Sequence, residues 1–93
     1  MRIVDVKRVE DCFDGSRVMR YFFDTPWTAA VIRRLAALGD LEYCDDFPRP
    51  LFRVTLPDGA EIKGVEGESD CQVVYPQRDR EQIQARIESC FER

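Results

Sequence analysis

The chain contains no histidine. This removes the side chain that most often acts as a general base near neutral pH, and the commonest transition-metal ligand. Hydrolysis by a Ser-His or Cys-His pair is excluded with it. Long apolar runs are also missing: no stretch approaches the roughly 20 apolar residues of a membrane-spanning helix. The first residues, MRIVDVKRVED, carry a charge every few positions and so lack the apolar segment of a secretory signal. Together these absences predict a soluble, cytoplasmic chain without membrane contact. Basic charge is in short supply too, with 14 basic residues against 18 acidic ones and a net charge of −4. A nucleic-acid partner is therefore not expected, because phosphate binding needs a basic footprint.

Closely spaced cysteines are likewise absent. Cys12, Cys44, Cys71 and Cys90 stand far apart, with no Cys-x-x-Cys pair to suggest a zinc ribbon or a thioredoxin-like centre. They read as small packing residues, Cys12 least so because it sits in a charged turn. The acidic groups Asp45-Asp46 and Glu66, Glu68 and Asp70 lack the spacing of a calcium loop. Gly59, Gly64 and Gly67 do not make a phosphate loop, since Lys63 precedes the middle glycine and no helix follows. No metal and no cofactor is expected.

What remains is a chain of 93 residues, 44% hydrophobic and 34% charged, sized for one globular domain over residues 1–93. It has room for one core and no large internal cavity, so any site should be a shallow cleft, a sheet face or a subunit interface. Alternation and β-branched residues predict strands over 2–9 and 17–23, joined at Asp14-Gly15 into an N-terminal hairpin spanning 1–23. Asp24 or Thr25 is placed to cap a helix with Pro26 in its first turn. Trp27, Val31, Leu35 and Leu38 share one face of that helix, and Gly39 suits a left-handed position after its end. Further strands are expected over 41–45, 51–56, 60–66 and 71–75. Phe47-Pro48-Arg49-Pro50 breaks the first of these, Pro57-Asp58-Gly59 turns the second into the third, and Gly64 marks a bulge or a close approach. A final helix opens at Asp79, with Gln82 completing a capping box and Ile83, Ile87, Cys90 and Phe91 on one face.

The element order is β-β-α-β-β-β-β-α, an α+β chain. It predicts a mostly antiparallel sheet with two helices packed on one face, and it resembles the ferredoxin-like two-layer sandwiches at the level of element pattern. That resemblance implies no particular activity. Tyr21-Phe22-Phe23 forces bulk onto both faces of its strand, so the face away from the helices should carry apolar surface, which either meets a second copy, a partner protein or a flat ligand, or is ordinary scattered exposure or covered by the N-terminal hairpin. Arg20 and Arg53 lie mid-strand, where they either pair with Glu42, Glu61 or Glu66 across strands or hold an anion. The expected function is a small non-catalytic binding or assembly module acting through the open sheet face, with a protein partner or a second copy as occupant. Its binding residues are Tyr21, Phe23, Arg20 and Arg53. The alternative is a small enzyme or enzyme subunit using carboxylate or thiolate chemistry at Cys12, Asp45, Asp46 and Arg53.

Overall fold

The computed structural model describes residues 1–46 and 48–91; Phe47 of the expected Phe-Pro-Arg-Pro break lies outside them. The chain builds β1 (Ile3–Asp11), β2 (Arg17–Phe23), α1 (Ala29–Arg34) continued by a 3₁₀ turn (Leu35–Ala37), β3 (Asp40–Cys44), β4 (Leu51–Thr55), β5 (Glu61–Val65), β6 (Asp70–Tyr75) and α2 (Arg80–Glu88). All six strands join one sheet in the order β1-β2-β6-β5-β4-β3. Every neighbouring pair is antiparallel.

This order departs from the ferredoxin-like pattern. After β2 the chain crosses to the far edge of the sheet, and β3 to β6 return as a continuous meander until β6 pairs with β2. β2 and β3, which flank α1, are separated by three strands, so no helix connects near neighbours. The helices are also short, six residues in α1 and nine in α2.

Alternation along the strands gives the sheet one closely packed face. Tyr21 and Phe23, Phe52 and Val54, Ile62, and Cys71, Val73 and Tyr75 project from it. Ile32 and Leu35 from the first helical segment, and Ile83 and Ile87 from α2, join the same buried cluster. Trp27 stands at its centre, 1% exposed. Its ring meets Phe23 edge-on at 5.5 Å between centroids and Phe52 at 4.7 Å. Such aromatic contacts add about 0.5–1.5 kcal/mol each beyond area burial.

Trp27 also explains why α1 begins later than its cap residues suggest. Its N–H donates to Glu68 O, its carbonyl accepts from Gly67 N, and its indole Nε1 donates to Asp70 O at 2.9 Å. Residue 27 is thereby pinned to the β5–β6 turn in a non-helical conformation. Asp24 is engaged elsewhere, its Oδ1 accepting from Arg2 N. Thr28 is the N-cap, its hydroxyl accepting from Val31 N.

Two other local expectations change. Asp79 precedes α2 with φ 57°, in the left-handed region, and its side chain makes no capping bond. Gly39 is not left-handed. A Cβ there would lie 2.3 Å from Thr55 O, so glycine is needed for close approach of two backbones. Gly64 sits in unbroken register with Phe52 and Cys71. Its missing side chain leaves space for the Phe52 ring, 2.6 Å from where a Cβ would stand.

Candidate functional site

Directly opposed residues of an antiparallel pair share a face. The register therefore traces rows across the sheet on the side away from the helices. One row runs Lys7, Arg20, Gln72, Lys63, Arg53, Glu42 from the β1 edge to the β3 edge. Two residues along each strand, a second outward row carries Val65, Leu51 and Cys44, with Asp70 and Phe22 continuing it toward β1. Between these rows lie Cys71 and Phe52, whose side chains point to the core, and Gly64, which has none; all three present backbone to the open side.

These rows enclose a hollow of about 500 Å³. Its floor is the backbone at Phe52, Gly64 and Cys71. Arg20, Gln72, Lys63, Arg53 and Glu42 form one wall, and Asp70, Val65, Leu51 and Cys44 form the other. The volume falls in the range of small-molecule sites, about 300–1,000 Å³.

The charges in the hollow are partly matched. Arg53 Nη2 donates to Glu42 Oε2 at 2.8 Å, and its Nε lies 3.8 Å from Glu61. The Glu42 hydrogen bond and then the Glu42 and Glu61 charges hold the guanidinium above its ordinary pKa, so it stays cationic. Arg20 Nε lies 3.4 Å from Asp70 Oδ2. That nitrogen is shielded from solvent yet makes no hydrogen bond among the described residues. Lys63 is exposed and has no ion-pair partner among the described residues.

The four binding residues expected from sequence thus divide between the faces. Arg20 and Arg53 both stand on the open face, in one row and one hollow, and Arg53 makes the expected cross-strand pairs. Tyr21 and Phe23 are placed on the helix side, 2% and 4% exposed, and are not available on the open face. Tyr21 hydroxyl instead meets Tyr75 hydroxyl at 2.6 Å and donates to Glu88 Oε2 at 2.8 Å. Parity sends Phe22 to the open side, where Lys7 Nζ lies 5.5 Å from its ring centroid. Lys63, Gln72, Leu51 and Val65 were not legible as site residues, because each looks like an ordinary strand position until the strand order aligns it.

The residues considered for catalysis do not converge. Cys12 lies at the tip of the β1–β2 hairpin, while Asp45 and Asp46 follow β3 at the opposite edge of the sheet. The three carboxylates of the β5–β6 turn engage separate partners: Glu66 accepts from the Tyr43 hydroxyl, Glu68 pairs with Arg49, and Asp70 with Arg20. Burial, reinforced by the Asp70 charge, pushes the Cys71 thiol up to about 12. Cys44 and Cys90 are exposed, so Cys90 is not the packed residue its helical spacing implies. No helix among the described residues is long and apolar enough to cross a membrane. Comparison with family models, with curated proteins and with solved structures finds no match to this chain.

Proposed function

We propose that the protein is a non-catalytic binding module that works through the open face of its sheet and receives an anionic group there. The observation that carries this reading is the alignment of Arg20, Gln72, Lys63 and Arg53 along one wall of a 500 Å³ hollow. Four adjacent strands each contribute one donor-bearing side chain to that row, at the spacing of neighbouring strands, about 4.8 Å. A rigid sheet removes the backbone ordering cost of binding, and the ion pairs of Arg20 and Arg53 already restrict two of the four side chains. The acidic net charge does not conflict with this, since a local row of donors acts at short range and the rest of the surface is screened beyond about 8–10 Å.

The test is an amide perturbation map, recorded with a panel of small organic acids and amines and again over a protein dilution series. Acids should perturb residues 20, 51, 53, 63, 65 and 72, and amines should not. A dilution effect on the same residues would identify a second copy of the chain as the occupant. Perturbation centred on the hairpin tip or the helices, or none at millimolar acid with no dilution effect, would reject the reading.

A further inference from the structure

The charge pattern inside the hollow narrows the ligand further, on the understanding that the open face is the binding surface. Asp70 faces Arg20 at one end and Glu42 holds Arg53 at the other. Lys63, between them, is the cation with no acidic partner among the described residues. Among the residues that line the hollow, three cations thus face two carboxylates, a deficit of about one negative charge centred on Lys63; Glu61, which approaches Arg53, lies outside the lining. A dianion would bring its second charge toward Asp70 or Glu42, where like charges repel. Gln72, opposite Lys63, adds an amide donor beside the ammonium.

The facing wall has a different character. Val65, Leu51 and Cys44 are opposed in register and form a continuous apolar strip. Leu51 remains 40% exposed, one of few large apolar side chains on the described surface that the core does not cover. The other such residues, Val4, Val9 and Phe13, lie on the N-terminal hairpin. A ligand matching both walls has one acidic head and an apolar body that lies over Leu51.

We infer that the hollow between Lys63 and Leu51 binds a small amphiphilic monocarboxylate, with its carboxylate at Lys63 and Gln72 and its apolar body along Val65, Leu51 and Cys44. Neither half is strong alone. An exposed ammonium–carboxylate pair contributes little in water, and a half-open strip cannot enclose a whole apolar molecule. Selectivity should come from needing both at once.

The experiment titrates the protein with octanoate, octyl phosphate, octylamine, octanol and acetate, following amide shifts. Octanoate should bind with shifts at residues 51, 63, 65 and 72, more tightly than octyl phosphate, and the other three should bind more weakly still. Lys63→Met should weaken octanoate about fivefold, and Lys63→Arg should restore most of it. Leu51→Asn should weaken octanoate but leave acetate unchanged. Both positions are exposed strand sites, and unchanged amide spectra of the free variants confirm that they fold. Equal binding of octanol or octylamine would overturn head-group recognition, and equal binding of acetate would overturn the role of the apolar strip. If octanoate fails while a glutamate-rich peptide perturbs the same residues, the ligand class falls and the open-face reading stands. If no probe perturbs the face, both fall.

Discussion

Cys71 links the protonation of a single atom to the stability of the fold. Its thiol is buried under the sheet, so ionisation in the folded chain is pushed from the ordinary 9.0 to about 12. In the unfolded chain it loses its proton near the ordinary value. Between those two values the unfolded state binds fewer protons, so stability must fall as pH rises. The slope attributable to Cys71 should reach up to about 1.4 kcal/mol per pH unit, and it should vanish in Cys71→Ala; urea melts at stepped pH for both proteins measure the difference. A half-buried polar contact, Tyr21 hydroxyl to Glu88, can be tested by Tyr21→Phe. Losing that hydroxyl removes a donor from Glu88 and a partner from Tyr75, and should cost about 1–2 kcal/mol of unfolding free energy by denaturant titration. The opposed orientation of Phe22 and its two aromatic neighbours was legible in the sequence, because strand alternation requires it. Which of the two sides the helices would cover was not, since periodicity has no reference to the rest of the molecule.

Among the elements, the strands were the most legible. Phe52 and Val54 alternate with Arg53 and Thr55, and that pattern fits only a half-buried strand. The starts of the helices were harder to read. Asp24-Thr25-Pro26 has the chemistry of a helix start, but the Asp24 carboxylate is committed to Arg2 N and Trp27 to the β5–β6 turn. Tertiary partners thus overrode a local preference. Thr28→Ala should accordingly cost about 1 kcal/mol through loss of the N-cap, measured by thermal or urea unfolding. An unchanged midpoint would mean that this hydroxyl does not cap α1. Gly39→Ala tests the junction between the helical segment and the sheet. Its Cβ would meet the Thr55 carbonyl, which is backbone and cannot rotate away, so β3 must shift from β4. The expected loss is about 1–3 kcal/mol, with faster amide exchange confined to β3 and the end of β4.

At the scale of the whole molecule, the hollow is a product of strand order. Hairpins such as β4–β5 can be read locally from Pro57-Asp58-Gly59. The pairing of β2 with β6 joins residues some 50 positions apart, and nothing in a local pattern specifies it. Without that pairing Arg20 and Arg53 are two isolated mid-strand charges. With it they stand in one row with Gln72 and Lys63 between them, facing an apolar strip that ends at Cys44. That geometry also provides a footprint of occupancy. Cys44 lines the hollow, while Cys90 lies beyond α2, and both are exposed. The most direct measurement is the rate of alkylation of each thiol, read by mass spectrometry, as octanoate is added. A ligand on the open face should slow modification of Cys44 and leave Cys90 unchanged. Protection of Cys90 instead, or an unchanged rate at Cys44 under octanoate concentrations that shift the protein's amide spectrum, would contradict the placement of the binding surface on the open sheet face.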